Sequence, residues 1–430
     1  MALQTIKEGN VVTKLAQATE LPRMVRVRQL LDHSHIAPEE IPALVAKELE
    51  PMRSRIHPGM RVAITCGSRG VANIAVITRA IVDFVKSCGG DPFVFPAMGS
   101  HGGATAEGQR EILTGYGVTE EFIGCPIRAT MEVVQIGQTE EGMPVFVDKY
   151  AHEADGVILC GRVKAHTAFR GPYESGILKM AVIGMGKQHG ADHVHRDGFA
   201  DLGRLLPMLA RVIFDKVNIL GAVAVAENAF DQTCILEGLL KEEIFEREPD
   251  ILRRSKQRLG CIFFDDIDVL VVDRLGKDIS GDGMDPNITG RFAVPYVKGE
   301  KKVQHIAVLD LTEETHGNCN GLGLADVTTR RLVEKIDVDC TYPNVVTSTV
   351  LCTPKIPLFT HSDKACIQIA LKTCNYIDRE HPRIVHIRDT MHLEEIEISE
   401  AMLEEARQNE HIQILSQPQE WPFDQEGNLW

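Results

Sequence analysis

Between Arg162 and His195 the chain reads RVKAHTAFRGPYESGILKMAVIGMGKQHGADHVH, which gathers four histidines, three lysines and five glycines into one turn-rich passage. Imidazole, with an ordinary pKa of about 6.5, can take and return a proton at neutral pH, and its neutral form is a good metal ligand. Lys179 stands inside the apolar run from Ile177 to Gly186. A lysine in such a run either snorkels to the surface or is held in the interior, where burial lowers its pKa and makes it a nucleophile. The pattern supports both readings equally. The closing HGADHVH supplies His189, Asp192, His193 and His195 within seven residues. It reads either as a solvated polar loop or as a place where at least one imidazole binds a metal; the H-E-x-x-H pattern of a zinc helix is absent.

These residues need strands to aim them. GVILCGRV (Gly156 to Val163) is a short apolar, β-branched run that reads as a buried strand of a parallel sheet, and ligands of open α/β sheets bind beyond the carboxyl ends of such strands. His166 lies just past that end. Upstream, RVAITCGSRG (Arg61 to Gly70) predicts a strand running into a glycine-containing turn, and VANIAVITRAIVDFVKSCGG predicts an amphipathic helix with a glycine stop. DPFVFPAMGSHGG (Asp91 to Gly103) repeats the scheme, with a helix from about Thr105. Ser68, Arg69, Ser100 and His101 therefore emerge at one sheet edge, where the tip carrying His166 can join them. The turn GSRGVAN is not a GxGxxG fingerprint; Ser68 and Arg69 beside a helix N-terminus favour a phosphate or carboxylate, and a surface ion pair is the bland alternative for Arg69. His101 is bracketed by Gly99, Gly102 and Gly103, which let the backbone approach a ligand closely.

The 430 residues suggest two to three domains, and 44% hydrophobic with 25% charged residues is ordinary globular composition. The net charge of −15, from 46 Lys plus Arg against 61 Asp plus Glu, argues against nucleic acid or an anionic membrane as the main partner. An anionic substrate would have to be drawn in by local cations. Eleven cysteines without C-x-x-C pairs and a polar, mixed-charge N-terminus point to free thiols in a reducing cytoplasm. No apolar run reaches the roughly 18 residues needed to span a membrane.

Residues 1 to 58 read as a lead-in ending in a helix, Pro38 to Glu50. KEEIFEREPDILRRSKQRLG, at 241 to 260, is a charged helical passage expected to cross between domains. We expect an N-terminal α/β domain over 1–250 and a C-terminal α/β domain over 251–430. In the second, DDIDVLVVDRLGKDISGDGMDPNITGR (Asp265 to Arg291) and HIAVLDLTEETHGNCNGLGLADVTTRRLVEKI each predict a strand opening into a polar loop, the latter entering a helix after Asp326. Lys277, Ser280, Asp285, Asn287 and Asn318 to Gly321 lie on these loops, where turn chemistry alone accounts for such residues. The tail QPQEWPFDQEGNLW is expected to pack on the surface.

GSRG at 67–70, MGSHGG at 98–103, RVKAHTAFRG at 162–171, the lysine of ESGILKM and the histidines of GKQHGADHVH resemble, in order and spacing, the motifs of the nickel-dependent lactate racemase superfamily. The resemblance covers most of residues 60–295. It implies two α/β domains with mostly parallel sheets and the active site in the cleft between them. It also implies a nickel-pincer nucleotide (pyridinium-3,5-bisthiocarboxylic acid mononucleotide nickel) as cofactor. His101 and His166 match the two catalytic histidines, Lys179 the lysine that joins the cofactor through a thioamide, and His195 the histidine that completes nickel coordination. The GSRG turn (Ser68, Arg69, Gly70) matches the family's D-H-T-R turn, whose arginine binds the anionic substrate or the cofactor phosphate. Asp285 and Asn287 resemble its D-x-N loop. Departures are Cys66 at the D-H-T-R aspartate and Thr289-Gly290 at the family's Tyr-Gln, with Arg291 the nearest substrate-binding cation. The loop between His166 and Lys179 is also a few residues longer, which makes Lys187 a rival attachment lysine.

What the resemblance implies is a racemase or epimerase of a small-molecule 2-hydroxy acid, lactate being one candidate among larger hydroxy acids and sugar acids. Hydride leaves the α-carbon while a base takes the hydroxyl proton, and the planar keto acid is reduced on either face. Each enantiomer needs its own base, hence two histidines. Two readings of other classes compete: a zinc or iron hydrolase or lyase with His189, His193 and His195 as ligands, and a non-catalytic hydroxyacid-binding protein. A homo-oligomer is compatible with all of them.

Overall fold

In the computed structural model, which describes residues 10–67, 70–196 and 198–430, alternating apolar strands and amphipathic helices gather into two compact units. One is His33–Leu259; the other joins residues 10–32 to Gly260–Trp430. The division differs from the one expected at 250/251. The charged helix Ile244–Arg258 lies wholly within the first unit, and the lead-in contains an unforeseen strand, Met24–Gln29, that belongs to the second unit's sheet.

The first unit is built on a five-stranded sheet: β1 (Arg61–Cys66), β2 (Asp91–Pro96), β3 (Gly156–Arg162), β4 (Ile219–Glu227) and β5 (Thr233–Leu240), in the order β2-β1-β3-β4-β5. β1 to β4 are mutually parallel and β5 is antiparallel to β4. These strands read as continuous apolar runs because helices cover both faces. Ala63, Phe93, Val157, Leu159 and Ala222 point into one core, and Val62, Ile64, Ile158, Cys160 and Val223 into the other. Helix α1 (Ile74–Ser87) buries Ile77, Ile81, Phe84 and Val85 in the second core. Helix α2 (Ala106–Gly115) opens with Thr105, whose hydroxyl caps Gly108 N. Helices α3 (Lys187–His195), α4 (Leu202–Lys216) and α5 (Ile244–Arg258) follow; α4 and α5 bury Leu205, Leu209, Ile213, Ile251 and Leu252 in the first core. The chain leaves β1 for β2 on one side and later returns to place β3 on the other. That reversal makes the carboxyl ends of β1 and β3 the point where such a sheet opens to a ligand.

An antiparallel hairpin, Val133–Gln138 with Pro144–Asp148, was not foreseen: its strands VVQIGQ and PVFVD hold β-branched residues but are short and interrupted by Gly137 and Pro144.

The second unit has an eight-stranded mixed sheet. Leu358–Thr360, Val327–Thr329, Lys302–Leu311, Asp266–Leu275 and Ile384–Ile387 run parallel, followed by antiparallel Glu395–Ser399, Met24–Gln29 and Ile412–Ile414. After Asp326 the chain makes the strand Val327–Thr329 before its helix, Arg330–Glu334. Trp421 of the tail is buried, donating to the carbonyl of Pro22 at 3.0 Å and stacking on Phe423. Both units are thus α/β, with mostly parallel strands in the first sheet and mixed pairing in the second. Among the described residues no helix is long and apolar enough to cross a membrane.

Candidate functional site

The carboxyl ends of β2 and β3 each release a turn, and each of these turns is held by buried polar groups. Past β3 the chain forms a closed loop: Lys164 and Ser175 exchange backbone hydrogen bonds of 2.9 and 3.2 Å. Inside it Glu174, 1% exposed, accepts from the His166 backbone N–H at 2.7 Å and from Arg170 at 3.3 Å, while Lys256 of α5 reaches its other oxygen at 2.7 Å. A buried carboxylate so satisfied fixes the loop that carries the imidazole.

His166 is also ordered at its ring. The Ala168 N–H donates to Nδ1 at 3.0 Å, so in the neutral imidazole the proton sits on Nε2. Nε2 stands 2.8 Å from Lys179 Nζ. With the ring proton on Nε2, the pair shares a hydrogen bond when the lysine nitrogen offers its lone pair, the form in which an amine is a nucleophile.

Lys179 ends a single α-turn, Ile177–Lys179, that widens into π-helix over Met180–Gly184, a form that recurs at functional sites. The start of this turn is held from behind by Glu248 of α5. Its Oε2 accepts from Leu178 N at 3.0 Å, and a Cβ on Gly176 would lie 1.9 Å from its Oε1, so only glycine fits there. Burial pushes the Glu248 carboxyl up to about 8, against the pull of the Leu178 and Ile177 N–H groups, so it is largely protonated at neutral pH. Oε1 has no hydrogen-bond partner among the described residues. Ser255 of α5 donates to the Val163 carbonyl at 2.8 Å, and the Tyr173 hydroxyl to the Phe245 carbonyl at 2.6 Å. The helix expected to link domains is instead the platform behind the His166–Lys179 segment. Its signal was present in the sequence: Glu248 falls on the buried stripe of Ile244, Ile251, Leu252 and Ser255, where a carboxylate is out of place.

His195, at the end of α3, joins this group. Burial, and secondarily the positive charge of Lys179, lowers its pKa to about 4. It is therefore neutral at physiological pH, the state that donates to a metal. Phe199 lies between the two imidazoles, 5.2 Å from His195 and 5.9 Å from His166, centroid to centroid. A neutral imidazole, an amine in contact with a second imidazole and an aromatic wall are a donor set that fits a covalently held, metal-bearing planar group.

His189 and His193 face elsewhere. Their rings lie 4.8 Å apart, and both pack on Phe146, at 4.4 and 5.1 Å. Among the described residues no three His, Cys, Asp or Glu side chains are grouped to hold a metal ion, which removes the basis of the three-histidine hydrolase reading.

His101 sits on the turn after β2, tethered through its backbone: its N–H donates to the Met98 carbonyl at 3.2 Å, and Gly99 N donates to Gly184 O at 3.3 Å. The turn that bears His101 thus rests on the π-helical segment following Lys179. Lys187, the rival attachment lysine, is wholly buried, with Nζ 3.0 Å from Asp148 Oδ2. Burial lowers the Lys187 pKa and raises that of Asp148, each opposed by the other's charge. A lysine locked in this way is a structural cation.

Ser68 and Arg69 lie outside the described residues. Gly70, beside them, accepts from Arg162 at 3.2 Å; Arg162 pairs with buried Glu227, whose other oxygen takes Ala72 N at 2.6 Å. Cys66, at the end of β1, is buried and its thiol pushed up to about 12 by desolvation, so it brings no charge. In the second unit Asp285 accepts from the backbone and side-chain N–H groups of Asn287 at 2.9 and 2.7 Å, and its own N–H donates to Thr390 Oγ1 at 3.0 Å. Arg291, expected to bind substrate, has different partners: its guanidinium pairs with Asp326 and donates to the carbonyls of Leu324, Val303 and Gln304 at 3.1, 3.2 and 2.9 Å. Those partners make it a brace for its own strand ends.

Residues 18–202 match the family model described as the lactate racemase N-terminal domain. No curated protein matches the chain. Among solved structures, a structural-genomics target protein from Thermotoga maritima is similar over 84% of this chain and 99% of its own, at 12% identity and a TM-score of 0.51. The lactate racemase apoprotein from Thermoanaerobacterium thermosaccharolyticum is similar over 76% of this chain and 81% of its own, at 11% identity and a TM-score of 0.46. The Thermotoga protein shares the fold.

Proposed function

We propose, from the match of residues 18–202 to the lactate racemase N-terminal domain, that this protein inverts the α-carbon of a 2-hydroxy acid. The observation that carries the reading is the contact between Lys179 Nζ and His166 Nε2, 2.8 Å, with neutral His195 beside it. Lys179 would carry the nickel-pincer nucleotide as a thioamide and His195 would hold its nickel; bound there, the group supplies a reversible hydride acceptor.

The chain's own residues handle protons and orientation. With Lys179 held in a thioamide its nitrogen would no longer offer a lone pair, and the contact with His166 Nε2 would be given up. For His166 to take the hydroxyl proton of one enantiomer at Nε2 and return it to the keto oxygen, its ring proton must sit on Nδ1, which requires the Ala168 N–H contact to open; His101 serves the other enantiomer. Glu174 holds the loop that carries His166 through its backbone N–H, so the residue is placed before the transfer. Phe169 and Phe199, whose rings flank the His166 imidazole, keep water from it.

The test is a chiral assay in D2O on cofactor-loaded protein with single enantiomers of lactate and of larger 2-hydroxy acids. Inversion with the α-hydrogen retained supports hydride transfer. Inversion with deuterium at the α-carbon means deprotonation instead, and no inversion of any acid refutes the reading.

A further inference from the structure

A buried polar chain runs from Asp148 to the His101 turn and has no part in the proton transfers above. Lys187 has a backbone φ of +55°, a left-handed conformation that is strained for a non-glycine residue and persists only where its surroundings hold it. Its ammonium does the holding. Nζ pairs with Asp148 Oδ2 at 3.0 Å, donates to Gln109 Oε1 at 3.1 Å and donates to the carbonyl of Pro96, the last residue of β2.

An ammonium has three donors and no acceptor. Two of these contacts are hydrogen bonds and the third is an ion pair, and because the ammonium accepts nothing Gln109 has to turn its oxygen toward the lysine. Its amide orientation is thereby fixed, and Nε2 points the other way, donating to the carbonyls of Gly99 at 2.9 Å and His101 at 3.2 Å. The turn sits tightly on α2 at this point: a Cβ on Gly102 would come within 2.6 Å of Gln109 N, and one on Gly108 within 2.2 Å of Gly102 O. A buried ion pair is a weak net stabiliser compared with apolar side chains of the same volume, so its distinctive effect here is directional.

We propose that Gln109, oriented by the buried Lys187–Asp148 pair, is a positioning residue that fixes the turn carrying His101. The importance of that turn rests on the reading of His101 as a base, whereas the positioning itself is a property of the chain alone.

The experiment is hydrogen–deuterium exchange by mass spectrometry on the full chain, comparing wild type with Gln109→Glu and Gln109→Met. Gln109→Glu keeps an oxygen for Lys187 but removes both N–H donors; Gln109→Met removes the polar group and keeps the volume. In both, amides of segment 97–104 should exchange about tenfold faster, the effect of losing hydrogen bonds worth about 1.4 kcal/mol, while peptides from α4 and β4 keep wild-type rates. Unchanged exchange in 97–104, or acceleration spread evenly over the unit, overturns the proposal. In loaded enzyme, Gln109→Met should lower kcat and leave KM unchanged, and an equal loss through KM contradicts a positioning role. A wild-type chain with no inversion activity refutes the functional reading alone, and the exchange result still decides this one.

Discussion

His166 Nε2 and Lys179 Nζ meet at 2.8 Å although they come from different elements, a strand-end loop and the first turn of a π-containing helix. Each is fixed from behind by a carboxyl group linked to α5, Glu174 for the loop and Glu248 for the turn. His166 and Lys179 are thus placed by one scaffold.

His166→Gln and His101→Gln should each abolish inversion in both directions, by about 10²–10⁴-fold in kcat, with the melting temperature near wild type. Chiral chromatography from each pure enantiomer measures it. A variant that still interconverts the enantiomers at the wild-type rate removes that histidine from the reaction.

Glu248 has a carboxyl pKa raised to about 8 in the folded state by burial, against about 4.3 when unfolded. The folded protein binds the extra proton between those values, so the stability this group contributes is full below about pH 4.3 and is lost as pH rises through about 8. Glu248→Gln, which mimics the protonated acid, should lose less stability than wild type between pH 5 and pH 8.5 in urea denaturation. Parallel pH profiles for the two proteins would contradict the assignment.

His386 in the second unit lies between Asp273 and Glu397, at 2.6 and 2.7 Å. Burial pulls its pKa down, but the two carboxylates outweigh it and raise the value to about 9. Its contribution to stability is full below about pH 6.5 and disappears as pH rises through about 9. His386→Phe should cost roughly 3 kcal/mol at pH 6 and less at pH 10; an equal cost at both would show that packing against Trp421 matters more than charge.

Arg291→Gln should lower the melting temperature by several degrees, the effect of leaving Asp326 and three carbonyls without their donor at roughly 2–4 kcal/mol. In an active enzyme KM for the hydroxy acid should be unchanged. A large rise in KM with unchanged stability would restore Arg291 to substrate binding.

Much of the first unit was legible because its strands are continuous apolar runs and its turns carry glycine: β1, β2, β3 and the start of α2 at Thr105 fall where the pattern put them. His166 was singled out by its place past a strand end, Lys179 and His195 by the motif resemblance, and the structure sets Lys179 against His166 with the charge of Lys179 acting on His195. The remaining elements depend on long-range partners. Met24–Gln29 carries a short alternation, Val25 and Val27 inward against Arg26 and Arg28, but its place between Glu395–Ser399 and Ile412–Ile414 is set by partners far away in the chain. Arg291 looked like a substrate cation because a lone arginine on a loop shows nothing of the carbonyls that will surround it. Gln109 was silent for the same reason, since an amide's role depends on what orients it.

The most direct test of the central claim is a lysine-peptide mass map of the protein produced together with the enzymes that make the pincer nucleotide. The account predicts a nucleotide-sized adduct on Lys179 and none on Lys187, whose amine is locked against Asp148. An unmodified Lys179 in protein that nonetheless inverts a 2-hydroxy acid would contradict it.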